Sequence, residues 1–254
     1  MKKYFAFILL FIAAASEMVA QETSSFQQAT ESYNKGEYQS AIDRYTRILE
    51  SGKHSAALYF NLGNCYYKLD EIGPSIYYYE KALLLQPQDE EILDNLRFAQ
   101  NMRLDAIEEM PKTAMARLHD AVVLAFSFDQ WATIAVVMLS LFVTGYITYY
   151  VLYSATKKRI AFISGTLALF LAFFAVAMAY LGYQDFKTKN PAIIFEREVG
   201  VTSEPNERSE KVFVLHEGTK VNVMDTLENW YKIKIADGQT GWIPSESLKL
   251  VKDF

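Results

Sequence analysis

Cys65 is the only cysteine of this 254-residue chain, and its three histidines are His54, His119 and His216. These are the side chains from which a nucleophilic thiol or a metal centre would be built. A reactive thiolate needs a base or cation beside it, and a zinc site needs three or four converging donors. The histidines fall in three different segments, and none stands at motif spacing from Cys65. No glycine-rich phosphate loop follows a strand-like run, and no Gly-x-Ser-x-Gly elbow occurs. Asp89-Glu90-Glu91 and Glu108-Glu109 read as helix-start charge and solvated surface. The expectation is a protein that is not an enzyme and uses no metal and no cofactor. A single cysteine forms no intrachain disulfide, so Cys65 is expected to be a small buried hydrophobe. A net charge of −5 without a basic stripe argues against nucleic acid as a partner.

What remains is binding chemistry, and its richest source is a repeat. Tyr33-Asn34-Lys35-Gly36-Glu37-Tyr38, with Ala41, Ile42, Tyr45, Ile48 and Leu49, recurs thirty-four residues later. The second copy reads Tyr67-Lys68-Leu69-Asp70-Glu71-Ile72, with Ser75, Ile76, Tyr79, Ala82 and Leu83. This resembles the tetratricopeptide repeat, a pair of antiparallel helices with that period. In the second copy Tyr59, Leu62, Gly63, Tyr66, Tyr79, Ala82 and Pro87 fall on the motif's positions, whereas the first copy departs at Ser32 and Lys53. Copies are expected at 24–54 and 55–88, with Ala29 facing Ala41 and Gly63 facing Ser75 where the helices cross. A capping helix is expected over 90–108. The resemblance implies that the first helix of each pair lines a concave groove. That places Phe26, Thr30, Tyr33 and Asn34, then Phe60, Asn64, Tyr67 and Lys68, against a partner peptide. Family members that clamp a terminal carboxylate carry lysine at the Phe26 position and asparagine at the Thr30 position; this chain departs at both. Plain core cover is the competing reading of the same tyrosines.

These elements must be placed relative to a membrane. From Trp131 to Tyr153, and again from Ile160 to Tyr183, no residue is charged. Each run exceeds the roughly 20 apolar residues needed to cross a bilayer. Transmembrane helices are expected over 131–153 and 160–183, joined by a turn at 154–159. Lys157, Lys158 and Arg159 in that turn hold it on the cytoplasmic side. A buried hairpin in a soluble protein is the alternative, and it requires a thick shell of further helices. Met1-Lys2-Lys3 followed by Tyr4 to Ala15 has signal-peptide form over 1–20, with cleavage after Ala20 or Ala15. Export agrees with the topology read from the basic turn. Residues 112–129 alternate at helical spacing, so an interfacial helix or a last packing helix of the repeat domain is expected there.

After 185–191, read as a polar linker, the periodicity changes to two. Lys211 to Leu215, Lys220 to Met224, Tyr231 to Ile235, Gly241 to Pro244 and Leu248 to Val251 read as five short strands. Asp237-Gly238 is a strong hairpin signal. An inward tryptophan on that hairpin completes a small all-β barrel over 192–254. Leu215-His216-Glu217-Gly218-Thr219-Lys220-Val221, the Trp230 strand and Asp237-Gly238-Gln239-Thr240-Gly241-Trp242-Ile243 resemble bacterial SH3 domains. Trp230 and Trp242 either present a ligand face or fill core and rim.

The expected fold class is a multidomain membrane protein: an α-helical tetratricopeptide array, a two-helix transmembrane hairpin and a C-terminal all-β SH3-like barrel. That order resembles the BatE family of the Bacteroides-type aerotolerance (Bat) operon. The resemblance implies a non-enzymatic inner-membrane protein, and the basic turn with the signal-like start leads to the expectation that both modules face the periplasm. Its implied partners are other membrane proteins of a Bat-type complex, with peptidoglycan as an alternative ligand of the SH3-like domain.

Overall fold

The structure, a computed structural model, describes residues 25–108 and 110–253. The signal-peptide expectation at 1–20 lies outside the described residues. Among the described residues five helices come first: α1 at residues 25–34, then α2 (Tyr38–Glu50), α3 (Ala56–Lys68), α4 (Ile72–Leu85) and α5 (Glu90–Gln100). Ser55 and Asp89 cap α3 and α5 by accepting from the backbone N–H of Leu58 at 3.2 Å and Ile92 at 3.1 Å. The crossings need small residues. Ala29 and Ala41 are fully buried, and the Ser75 hydroxyl donates to the Gly63 carbonyl at 2.9 Å. A Cβ on Gly63 would come within 2.6 Å of the Tyr79 ring. Gly36 and Asp70, at equivalent positions of the two copies, both adopt positive φ (80° and 60°) in the tight turns, a conformation glycine takes freely and aspartate tolerates.

The expected capping helix is corrected in length: α5 ends at Gln100, not 108. Residues 103–108 are not helical, because Asp105 and Ile107 find partners on the β-domain instead.

Next come α6 (Ala114–Val123), α7 (Phe128–Val151) and α8 (Ala155–Thr188). The Ser127 side chain and Gln130 form a reciprocal capping box that starts α7. The expected turn at 154–159 is also corrected. Only Leu152, Tyr153 and Ser154 interrupt the helices, so Lys157, Lys158 and Arg159 lie in the first turns of α8. Lysine and arginine are good helix formers, and nothing after Ser154 breaks the chain. For the same reason Asp185 to Thr188 continue α8 rather than form a linker. Where α7 and α8 meet, a Cβ on Gly145 would lie 3.3 Å from the Cα of Gly165; Ala161, Ala168, Ala172 and Ala175 are buried along the same seam. Both helices are long and apolar enough to cross a membrane, yet only 6% of the apolar window in α7 and 28% of that in α8 is buried. Phe162, Phe170 and Phe173 are each more than 60% exposed.

The C-terminal region is one antiparallel sheet of seven strands, not five. They are β1 (Pro191–Ile194), β2 (Glu198–Thr202), β3 (Lys211–His216), β4 (Lys220–Leu227), β5 (Trp230–Lys234), β6 (Thr240–Pro244) and β7 (Leu248–Leu250), in the order β3-β2-β6-β5-β4-β1-β7. Gly238 turns the β5–β6 hairpin at φ 95°. The expectation of an inward tryptophan is corrected as well. Gly241 and Ile243 face the core, and Gly241 leaves Val201 no room for a Cβ between them. Alternation then turns Trp242 outward.

The β-domain is seated on the helices. Ile193 and Val251 belong to the same buried cluster as Ile76, Tyr77 and Ile92. The Tyr77 ring meets Phe195 edge-on at 5.5 Å, and its hydroxyl and the Lys81 ammonium both donate to Asp253. Lys220 pairs with Glu80 at 2.6 Å, and the Gly73 N–H donates to Glu217 Oε1 at 3.0 Å. The segment after α5 then runs along the barrel as a strap. Asp105 accepts from the Thr219 hydroxyl at 2.5 Å and from the His216 N–H at 2.8 Å, with His216 Nδ1 at 2.6 Å. Burial pushes the Asp105 carboxyl up, but these hydrogen bonds together outweigh it and hold it below the usual carboxylate range. Ile107 packs on the β-core, and the Met110 N–H donates to the Ala236 carbonyl at 3.2 Å.

Candidate functional site

The three first helices, α1, α3 and α5, carry equivalent faces because the helix-pair period returns the same side chains to the same side. Phe26 is half-buried with its ring 5.4 Å from Tyr45, and Thr30 shares a 2.9 Å hydrogen bond with the Tyr45 hydroxyl. Tyr33 lies 5.4 Å from Tyr38, and Phe60 lies 5.9 Å from Tyr79. Asn64 Oδ1 accepts from the Tyr79 hydroxyl at 2.6 Å and from Asn95 Nδ2 at 2.9 Å. Asn34 and Lys68 are exposed, and Tyr67 is half-buried against the α3–α4 core. Phe26, Thr30, Phe60 and Asn64 therefore have internal partners that fix their rotamers. Tyr33, Tyr67, Asn34 and Lys68 form the accessible part.

Sequence reading missed two members of this face. Asn95 on α5 extends the row begun by Asn64 through their hydrogen bond, and Phe98, one turn on, takes the position that Thr30 and Asn64 hold in the two copies. Phe98 is 59% exposed, a large ring left in solvent while Ile92, Leu96 and Ala99 bury the other face of the helix. The signal was present in the period itself: thirty-four residues on from Thr30 stands Asn64, and thirty-four further on stands Phe98. Continuing the repeat register past Pro87 would have found it.

Burial raises the phenol pKa of Tyr33 and Tyr45 above the usual tyrosine range, so both stay neutral hydrogen-bonding groups. Cys65 is fully buried and its thiol is pushed up to about 12 by that burial. It is inert as a nucleophile at neutral pH. The histidines stay apart: His54 bonds Tyr59, His119 lies beside Asp120, and His216 meets Asp105. Among the described residues no group of three or more His, Cys, Asp or Glu is placed to hold a metal ion.

On the β-domain, Trp230 and Trp242 are half-exposed and lie on the outer face of β5 and β6. Trp230 stands opposite Pro244 and Trp242 opposite Lys232. The Lys232 ammonium lies 5.9 Å from the Trp242 ring centre. At the far end of the hairpin, Lys157 and Arg159 are exposed, and the Lys158 ammonium lies 5.5 Å over the Tyr149 ring.

The family model for a tetratricopeptide repeat matches residues 56–89, and that for a bacterial SH3 domain matches residues 199–249. The chain carries both modules. The first match is α3 and α4, the pair with the accessible Tyr67 in front and the β-domain behind. The second leaves out β1, the strand that joins the two cores. No curated protein matches the chain.

Proposed function

We propose that the protein is a non-catalytic, membrane-anchored adaptor. Its tetratricopeptide face holds a peptide segment of a partner protein, and its SH3-like domain braces that face from behind. The observation that carries this reading is the contrast on the repeat itself. The α4 side is filled by β1 and Asp253, while Tyr33, Tyr67 and Phe98 are left accessible in front. Rigid aromatics flanked by amides give a peptide apolar contact and backbone hydrogen bonds at low entropic cost.

Membrane insertion of α7 and α8 is part of the proposal. It is supported by phenylalanines exposed along the helices, by glycines at their crossing, and by the basic group at their closed end. Trp131 and Tyr183 mark the open end, where α6 exposes Met115 and Leu118 as an interfacial helix would. In this reading the closed end lies in the cytoplasm of a bacterial inner membrane and both modules face the periplasm, a topology supported by the positive charges. By its resemblance the partner belongs to a Bat-type complex. A photo-crosslinking residue in place of Tyr67 should trap one defined membrane protein, and the same residue in place of exposed Met224 should not. Equal labelling from both positions, or none from Tyr67, defeats the adaptor reading.

The outward pair Trp230 and Trp242 favours a second reading, in which the SH3-like face binds peptidoglycan. The detergent-solubilised full chain should then sediment with purified cell wall, and Trp242→Ala should abolish this.

A further inference from the structure

A cavity of ≈ 670 Å³ lies where the repeat, the β-domain and the open end of the helical hairpin meet. One wall is the start of α7 and the end of α8, through Phe128, Gly182 and Phe186. The wall facing it comes from Leu83 and Leu84 of α4, with Leu124 from the loop after α6. The Gln88 side chain closes this side by donating to the Leu124 carbonyl at 2.9 Å. The cavity therefore sits at the depth where the apolar helices give way to the polar modules.

Its charge is lopsided. Among the described residues Arg103, Lys189, Lys220, Lys234 and Lys252 line it with Glu80 and Asp185. Each carboxylate is already matched, Glu80 by Lys220 at 2.6 Å and Asp185 by Lys189 at 2.7 Å. The Lys252 ammonium is held by the backbone carbonyls of Phe186 and Lys189. Burial and the nearby Lys189 push its pKa below the usual lysine range, a cost that an anion in the cavity would offset.

We infer that this cavity seats the headgroup of an anionic phospholipid, its phosphate between Lys234 and Lys252 and its glycerol and first methylenes against Phe128 and Phe186. The inference rests on the membrane reading above. A free phosphate would pair with Lys234 and Lys252 but leave the phenylalanine wall uncovered, whereas a lipid whose headgroup lies at this depth meets both. A bound lipid would tie the orientation of the two modules to the membrane surface.

The test uses the full chain in nanodiscs of phosphatidylcholine doped with phosphatidylglycerol or with phosphatidylethanolamine, and native mass spectrometry to read the lipid retained. Retention of phosphatidylglycerol over the other two is expected. Lys234→Gln and Lys252→Gln should each weaken that preference about fivefold. Lys234 is a half-exposed strand residue, so its variant keeps the fold, which near-UV circular dichroism checks. Equal retention of all three lipids overturns the inference, as does displacement of the lipid by inorganic phosphate alone. Alkaline carbonate separates the levels. Release of the protein from membranes would defeat the membrane reading itself, whereas a protein that stays inserted without lipid preference defeats only the lipid seat.

Discussion

The two sides of the second repeat use the same residue type for opposite ends. On the α4 side, Tyr77 is buried, contacts Phe195 and bonds Asp253. On the α3–α5 side, Tyr67 is half-buried and Phe98 mostly exposed, with no domain among the described residues in front of them. An aromatic ring brings apolar area at low conformational cost in either place. What differs is whether the chain supplies its own partner. On the back it does, through β1 and the C-terminal residues, and the rings become structure. On the front no described residue does so, and the rings remain available.

The comparison is broken most sharply by Tyr77→Ala. Loss of a buried ring at the joint between two cores should cost about 3–5 kcal/mol, read as a lower denaturant midpoint. Protease sensitivity at 101–112 should rise with it, because the strap loses the surface it lies on. If stability is unchanged, the β-domain is not seated on α4.

Asp105→Asn comes next. Removing the charge from hydrogen bonds donated by Thr219 and His216 should cost about 1.5–3 kcal/mol. The sign with pH follows from the carboxyl being held below its unfolded value. The stabilisation is fully present above the ordinary aspartate pKa and is lost as pH falls through the lowered folded value. Hydrogen exchange of the Thr219 and Ala236 region should accelerate on acidification into that window in the native chain. In the Asn variant the Asp105 contribution to this acid dependence should be missing.

Phe98→Ala should have the smallest effect on folding and the clearest on binding. An exposed ring should change stability by no more than about 0.5 kcal/mol. Loss of a central aromatic should weaken capture of the partner about tenfold or more. A variant that unfolds, or one that binds normally, would remove Phe98 from the front face.

Much of the fold was legible because it is local. The second repeat declared itself through Gly63, Ser75 and Tyr79, whose sizes must match across one helix pair. The apolar runs of α7 and α8 were legible because composition over twenty residues survives any change in neighbours. β1 was not. Ala192 and Ile194 face the β-core while Ile193 faces the repeat core, so the strand is buried on both sides and shows no period of two. The early end of α5 was hidden for a related reason. Residues 101–108 have a workable helical pattern, and only Thr219, His216 and the β-core draw Asp105 and Ile107 away from it.

Sequence alone determined the two helix pairs, the long apolar helices, the period-two character of the barrel and the absence of familiar catalytic motifs. Each depends on side chains close together in the chain, where helix or strand geometry fixes who meets whom. The tertiary structure decided which aromatic face is covered, which way Trp242 points, and that a charged strap and a mixed apolar and cationic cavity join the modules. Those outcomes turn on contacts between residues far apart in the chain, from Gly241 with Val201 to Asp105 with Thr219 and Lys81 with Asp253. No local pattern encodes them, because the partner that satisfies each group is chosen only when the domains pack.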